Sequence, residues 1–266
     1  MLRRLPVLFL VCAAAAALVA IPAQARRAGA ASARPWSPGI HAAAVYARHR
    51  HGSIAFAVRT EHRSWSYRGT RIYPSASVVK AMLLVTYLDH RYVRGRPLTH
   101  RDRALLTPMI RRSDDRAAQR IFEFVGRGGL RALARRVGMR RFHPAHIWGR
   151  SLIDAVDQTK FFLHIDRFLV SRHRAFAMKL LASVIPSQRW GVGRVRPRGW
   201  SIYFKGGWGA GTGWVDHQIA LYKRGVMRLS IAILTHNDGS HAYGKATLKG
   251  IAARLLRGLG PNSSVR

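Results

Sequence analysis

A serine and a lysine three positions apart are the first residues whose types and spacing could do chemistry. The segment "YPSASVVKAM" places Ser77 before Lys80, at the start of an apolar run that predicts a helix. Residues three apart share one face of a helix, so the hydroxyl and the amine can lie within hydrogen-bond reach. Only seven of the 46 basic residues are lysine, and a buried lysine, unlike arginine, can lose its proton and act as a base. The pair therefore indicates a serine nucleophile.

Two further motifs follow along the chain and strengthen this interpretation, since Ser-x-x-Lys alone also arises by chance. The segment "RRSDDR" puts Ser113 at the head of a second predicted helix, and "YFKGGWG" puts Lys205 at the end of a predicted strand. In order and spacing the three motifs resemble the Ser-x-x-Lys, Ser-Asp-Asn and Lys-Thr/Ser-Gly signatures of the penicillin-recognising serine hydrolases, the class A β-lactamases and their D,D-peptidase relatives. The resemblance covers nearly all of the chain after the first 25 residues.

The resemblance implies a role for each of these residues. The catalytic set is Ser77 as nucleophile, Lys80 as base and Ser113 as the hydroxyl that passes a proton to the leaving nitrogen. The backbone N–H groups of Ser77 and Trp208 would form the oxyanion hole, and Asp114 would cap its own helix. The implied substrate-binding residues are Asp115, Lys205, Gly207, Trp208 and Thr212. The implied substrate is a β-lactam or a D-Ala-D-Ala-type peptidoglycan amide.

Three departures from the family pattern affect these expectations. Asp115 stands where the family has asparagine, so it can only accept hydrogen bonds and could hold Lys80 charged. Gly206 replaces the hydroxyl residue that helps bind a substrate carboxylate, and Thr212 is the candidate substitute. No acidic residue lies between Gly138 and Ile153, where class A β-lactamases carry the glutamate that hydrolyses the acyl-enzyme. We therefore expect slow deacylation.

The elements that must position these residues follow from periodicity and turn signals. Two strands are predicted early, over 53–60 and 63–70, and three late, over 201–207, 213–225 and 226–238. Helices are predicted near each end of the chain, with a helical block between the two groups of strands. The pattern and the resemblance together predict an α/β (α+β type) β-lactamase/transpeptidase-like fold, with a five-stranded antiparallel sheet built from both chain ends and a helical subdomain.

The N-terminus reads as an export signal, because two arginines precede an apolar run and "AQA" offers a cleavage site. We predict a signal peptide over 1–25, a linker over 26–39, the serine hydrolase domain over 40–258 and a flexible tail over 259–266. The one cysteine, Cys12, lies in the signal, so the remaining chain has no disulfide or thiolate chemistry. The expected location is secreted, periplasmic or in the cell envelope.

The formal net charge of +35 bears on the partners. The arginines are spread along the chain without a nucleic-acid-binding motif, so we expect no specific nucleic acid and consider anionic envelope polymers as possible partners. The 13 histidines show no metal-binding spacing, and we expect no metal, no cofactor and a monomer. The first hypothesis is an exported enzyme that forms an acyl-Ser77 intermediate. The alternative is a catalytically lapsed, basic scaffold that binds the cell envelope.

Overall fold

One antiparallel sheet receives strands from both ends of the chain in the computed structural model, which describes residues 35–265. The early strands are β1 (Ser53–Arg59) and β2 (Ser64–Tyr67), and the late ones are β5 (Ser201–Gly209), β6 (Val215–Arg224) and β7 (Met227–His236). Their order is β2-β1-β7-β6-β5 and all neighbours are antiparallel, while the short strands β3 (Tyr73–Pro74) and β4 (Leu152–Ile153) pair separately. This confirms the predicted five-stranded sheet, and it leaves β5 at one edge.

The described part of the chain contains eight α-helices, some against the sheet and others in the central helical block. They are α1 (Ile40–Arg48), α2 (Lys80–Asp89), α3 (Arg91–Arg94), α4 (His100–Arg111), α5 (Asp115–Val137), α6 (Ala155–Leu163), α7 (Ser171–Ala182) and α8 (His241–Leu255). Helix α5 is kinked within "GRGG", where Gly126 has a φ of +64°. None of the described helices is long and apolar enough to cross a membrane.

The sheet is covered on both faces, which gives the domain two hydrophobic cores. Alternate residues of a strand point to opposite faces, so Ala55 and Ala57 pack with the helices of the central block while Phe56 and Val58 pack with α1 and α8. Strands buried on both sides are nearly continuous apolar runs, as "LSIAIL" in β7 illustrates. At the edge of the sheet, β5 contacts α7 and the turn before α2, and the three sequence motifs converge there.

The described residues at both termini contact the domain. Trp36 is buried, its backbone N–H donates to the Ser264 carbonyl at 2.9 Å and its indole N–H donates to the Arg257 carbonyl at 3.1 Å. Leu259 is buried in the same core. Parts of the predicted linker and tail are therefore attached to the domain, beyond the boundaries at residues 40 and 258. The predicted signal, 1–25, lies outside the described residues.

Candidate active site

The turn that carries Ser77 is tightly held. A 3₁₀ turn, Ala76–Val79, runs directly into α2. Ala76 has a φ of +43°, which is uncommon for a residue with a side chain and typical of strained functional positions. The Ser75 backbone N–H donates to the Ser151 carbonyl at 2.7 Å, so the turn is anchored to the loop before the short strand β4 (Leu152–Ile153). Ser77 itself is 9% exposed, and its hydroxyl has no hydrogen-bond partner among the described residues.

Lys80 is fully buried, and its amine contacts Ser113 and Asp115, with no hydrogen bond to Ser77. The Nζ atom donates to the Ser113 carbonyl and to Asp115 Oδ1, both at 2.5 Å, and lies 3.2 Å from Ser113 Oγ. The hydrogen bond that helical spacing allowed between Ser77 and Lys80 is thus absent in this structure, because Asp115 takes the amine. This is the competition that replacing asparagine by Asp115 predicted.

Burial nevertheless dominates the acidity of Lys80. Removal from water disfavours the ammonium ion and lowers the pKa of Lys80, although the hydrogen bond and charge of Asp115 raise it. The Asp115 side chain is 76% exposed, so water weakens its attraction for the amine. The ion pair holds the amine in place without cancelling the effect of burial.

Ser113 joins the two lysines of the site. The Lys205 Nζ atom lies 2.9 Å from Ser113 Oγ and 2.7 Å from the Gly206 carbonyl, and the side chain is only 1% exposed. Burial, and then the positive charge of Lys80, lower the pKa of Lys205 well below its ordinary value. Ser113 has a φ of +58°, a second strained position in the site. Two amines on one hydroxyl make a short path along which a proton can move.

Strand β5 closes the site because it passes directly against the Ser77 turn. A Cβ atom added to Gly207 would lie 2.7 Å from the Ser77 backbone nitrogen and 2.8 Å from that of Val78, so only glycine fits there. As an edge strand with one neighbour, β5 leaves alternate backbone N–H groups unpaired. The arrangement suits the expected oxyanion hole at the N–H groups of Ser77 and Trp208, which remains a prediction.

Two of the expected substrate-binding side chains lie elsewhere. The Trp208 ring stacks on His241 with ring centroids 5.6 Å apart, so this side chain faces α8 and only its backbone can face Ser77. Thr212 lies in the turn after β5, where its hydroxyl donates to the Gly209 carbonyl at 3.4 Å. Neither side chain makes a hydrogen bond to Lys205 in the structure.

The loop between α5 and β4 brings a tryptophan to the site where the family carries an acid. The Trp148 ring centroid lies 4.8 Å from Lys80 Nζ, a cation–π contact that favours the ammonium form. The loop is anchored at its start, because Asp157 Oδ2 accepts hydrogen bonds at 2.7 Å from the backbone N–H groups of Arg140 and Arg141. Sequence analysis did not single out Trp148. Its position in the segment without an acid, between Gly138 and Ile153, was the one feature that could have marked it as a site residue.

The remaining acidic candidates have other partners. Asp114 Oδ1 accepts from the Ala117 N–H at 2.8 Å, which confirms the predicted helix cap. Glu61 pairs with Arg167, and Glu123 accepts from the Gln119 amide, so neither of the two glutamates contacts the lysines. The structure thus brings together Ser77, Lys80, Ser113, Asp115, Lys205 and Gly207, and it leaves the loop without a carboxylate that could activate water.

Comparison with solved structures identifies the fold. The chain is similar to a β-lactamase from Sphaerobacter thermophilus DSM 20745, with a TM-score of 0.70 and 18% identity over 82% of this chain and 96% of that one. A β-lactamase from Xanthomonas campestris pv. campestris gives 0.70 and 17% over 81% and 96%, and the chromosome-encoded β-lactamase of Vibrio parahaemolyticus gives 0.69 and 17% over 80% and 95%. An ancestral class A β-lactamase also matches.

No protein-family model matches the sequence, and no curated protein matches it either. At identities below 20% the structural likeness establishes the fold alone. The chain therefore has a class A β-lactamase-like fold, as the three motifs predicted, and its activity has to be argued from the residues.

Proposed function

We propose that the protein is an exported serine hydrolase that is acylated on Ser77 by a β-lactam or by a D-Ala-D-Ala-type wall-peptide amide. The observation that carries the proposal is the position of Ser113, whose hydroxyl lies within 3.2 Å of Lys80 and 2.9 Å of Lys205, with Lys80 one helical turn after Ser77. Buried amines with lowered pKa values are the groups that can take a proton from a serine nucleophile near neutral pH.

In the resting arrangement the positive charge belongs on Lys80. Its amine contacts Asp115 and the Trp148 ring, whereas Lys205 hydrogen-bonds only neutral oxygens and is repelled by Lys80 more than it is attracted by Asp115. Lys205 is accordingly the neutral amine. Lys80 can therefore act as the base only after it has lost a proton.

The Ser113 hydroxyl provides the route for that proton. It can accept a proton from Lys80 while it passes its own proton to Lys205, over contacts of 3.2 and 2.9 Å. The transfer leaves Lys80 neutral and Lys205 charged. A substrate carboxylate near Lys205 would favour this second state by Coulombic attraction.

Acylation then follows with each proton assigned. Ser77 Oγ bonds to the carbonyl carbon of the amide as Lys80 takes the hydroxyl proton, and the backbone N–H groups of Ser77 and Trp208 stabilise the oxyanion. The carbon–nitrogen bond breaks as Ser113 gives a proton to the leaving nitrogen. Lys80 returns a proton to Ser113, which leaves acyl-Ser77.

Slow deacylation is part of the proposal. Hydrolysis of the ester needs a base that activates water, and the loop facing Lys80 offers the Trp148 ring and no carboxylate. The acyl-enzyme should persist for minutes or longer. Such behaviour is typical of a penicillin-binding or peptidase-like protein more than of an efficient β-lactamase.

A labelling experiment tests the proposal. The protein is incubated with a fluorescent penicillin and weighed intact, and we expect a mass increase equal to the whole penicillin. Ser77→Ala should abolish the adduct, and Ser187→Ala, an exposed serine, should not. The absence of an adduct with every β-lactam and D-Ala-D-Ala ester tried would reject acylation, and rapid steady turnover would reject the slow second step.

The second candidate is a lapsed, envelope-binding scaffold. It is favoured by the Asp115 ion pair that keeps Lys80 away from Ser77, and by surface cavities such as one of about 410 Å³ whose lining includes Arg91, Arg94 and Arg136 with one acid, Asp89. The scaffold predicts binding to anionic wall polymers that weakens with salt and is unchanged in Ser77→Ala.

A further inference from the structure

The two helices that begin at the lysine cluster end beside each other at a second, basic part of the surface. Helix α2 begins with Lys80 and α5 with Asp115, which form the ion pair of the site. At their other ends, Asp89 of α2 pairs with Arg136 in the last turn of α5, at 2.5 Å. At 1.5 Å per residue, α2 separates the two ion pairs by roughly 14 Å. A partner bound at the far end of these helices therefore lies away from Ser77.

The cavity of about 410 Å³ lies at this far end and is lined by arginines. Its lining includes Arg91 and Arg94 of the short helix α3, together with Arg136. Asp89 is the one acid in the lining, and Arg136 balances its charge. Arg94 makes no hydrogen bond or ion pair with any described residue, and the Arg91 guanidinium donates to the neutral Tyr92 hydroxyl at 2.7 Å. Two positive charges therefore remain for a ligand.

The basic surface continues across α5. Positions 131, 132, 135 and 136 form an exposed ridge of this helix, with the first cavity on one side of it. A second cavity, of about 280 Å³, lies on the other side, where it is lined by Arg131 and Arg135 and by no acid. Neither arginine has a hydrogen bond or ion pair within the part of the chain that the structure describes. We refer to the two cavities, the ridge between them and helix α3 as the α5 surface.

Exposed aromatic rings border the first cavity. Tyr92 is 61% exposed and Phe124 is 44% exposed. Both rings contact His90 in the cavity lining, with ring centroids 5.4 Å and 4.5 Å from that of the imidazole. Ala132 and Leu133 add apolar groups to the same lining. Large apolar side chains are unfavourable in water, so the α5 surface combines unpaired cations with apolar groups that a partner could cover.

This combination suits the surface of an anionic lipid bilayer. Arginine binds phosphate oxygens through two N–H groups at once, and aromatic rings with a polar end are favoured at the head-group level of a bilayer. We propose that the α5 surface docks on membranes that contain anionic phospholipids, with Arg91 and Arg94 on lipid phosphates and Tyr92 and Phe124 among the head groups. Docking is separate from acylation, and it rests on the proposed export only for the place where the protein meets lipid.

The aromatic rings favour lipid over a soluble polyanion. A polymer of phosphates binds through the arginines alone and leaves the exposed rings in water. Single-stranded nucleic acid stacks its bases on the faces of aromatic rings. Here the planes of Tyr92 and Phe124 are tilted by 51° and 58° from that of His90, and the Arg91 guanidinium covers the Tyr92 ring at 4.6 Å. Successive bases would therefore find no row of parallel free faces.

Vesicle sedimentation of the full chain tests the proposal, with a control for the net charge of +35. The probes are vesicles of phosphatidylcholine, with and without about one third phosphatidylglycerol, at about 0.15 M salt, where charges more than about 8 Å apart are largely screened. Arg91→Gln combined with Arg94→Gln should weaken binding to the anionic vesicles about 25-fold, at about fivefold per arginine. Arg196→Gln combined with Arg198→Gln removes the same charge from an exposed loop and should weaken it less than about threefold.

Two further measurements show which face touches lipid. Tyr92→Ala should weaken binding severalfold, whereas Trp214→Ala, which removes an aromatic ring that is 52% exposed elsewhere, should not. For the second measurement, Cys12→Ser removes the one cysteine, and a polarity-sensitive dye is attached at Tyr92→Cys or at the 95% exposed Val226→Cys. Dye emission should shift to the blue on anionic vesicles at position 92 and not at position 226. This shift reports the docked face whether or not residues 1–25 also bind lipid.

Four results would overturn the proposal. Equal losses in the two double arginine variants would mean that net charge alone attracts the protein. The absence of a dye shift at position 92, or an equal shift at position 226, would reject this face. Tighter binding of single-stranded DNA or of soluble polyglycerol phosphate, lost in Arg91→Gln with Arg94→Gln, would assign the surface to that polyanion. Ser77→Ala should bind vesicles normally, so a failure of acylation and a failure of docking are distinguishable.

Discussion

Two buried clusters of opposite charge lie on the two faces of strand β5. On one face Lys80 and Lys205 meet at the Ser113 hydroxyl, and on the other Asp216 and Asp238 share a hydrogen bond beside Trp208. Burial shifts both clusters towards neutrality, lowering the pKa values of the lysines and raising those of the aspartates. The comparison teaches that desolvation, more than the formal charge of +35, sets protonation at this edge of the sheet.

The largest expected effect removes the proposed base from the lysine cluster. Lys80→Ala should slow acylation of Ser77 by about 10²–10⁴-fold, because no amine remains beside the nucleophile. Lys80→Arg should be as impaired, since a guanidinium keeps the charge beside Asp115 but cannot accept a proton. Rates of adduct formation by intact mass are the measurement, with the exposed Lys249→Ala as control. An Arg variant within tenfold of wild type would mean that charge, and not basicity, is what the position supplies.

Strand β5 separates the two clusters, and a methyl group added at Gly207 should push it away from the Ser77 turn. Gly207→Ala would place a carbon 2.7 Å from the Ser77 nitrogen, so we expect a loss of about 1–3 kcal/mol in the free energy of unfolding and strongly reduced acylation. Gly211→Ala, with no atom within 4 Å of the new carbon, is the matched control. Urea unfolding and adduct formation are measured on both variants. Equal stability of the two would show that β5 can move away without cost.

The two clusters should contribute to stability with opposite pH dependence. Between about pH 4 and 8 the native Asp216 holds a proton that the unfolded chain has released, so raising the pH through this window favours unfolding. Native Lys205 has released a proton that the unfolded chain still holds, so its contribution rises between its lowered pKa and about 10.5. Each group changes the free energy of unfolding by at most about 1.4 kcal/mol per pH unit.

Two variants separate these slopes in urea unfolding at about pH 5, 7 and 9. The free energy of unfolding of Asp216→Asn, relative to wild type, should increase as the pH rises. That of Lys205→Met, relative to wild type, should decrease over the same range. If both variants change in the same direction relative to wild type, the assignment of neutral forms to Asp216 and Lys205 is wrong.

The smallest expected effect sharpens the account of Lys80. Asp115→Asn removes the charge that raises the pKa of Lys80, so that pKa should fall further and more of the amine should be neutral near pH 7. Acylation should accelerate up to about tenfold, and the acid limb of its pH profile should move about one unit lower. Asp89→Asn is the control for a surface acid. A slower Asn variant would show that Asp115 positions substrate or amine more than it restrains the proton.

Sequence analysis found the strands, the motifs and the missing acid because each is a local pattern, and the resemblance to a known family joined the early and late strands in one sheet. It assigned no element to α7, although His173, Ala177, Leu180 and Leu181 are buried there at helical spacing, because basic residues obscured the apolar face. Trp148 was also overlooked, since its contact with Lys80 joins residues 68 positions apart in the chain. The Asp216–Asp238 pair depends on how β6, β7 and α8 end together, which no local pattern reports.

By itself the sequence determined the order of the motifs, the types of group available for chemistry and, through the resemblance of the motifs to a known family, the fold class. Only the tertiary structure decided that Lys80 contacts Asp115 and not Ser77, and that Lys205 shares the Ser113 hydroxyl across 92 residues of chain. The physical reason is that protonation and hydrogen-bond partners depend on desolvation and on distances of a few ångströms between distant segments, and these exist only once the chain has folded.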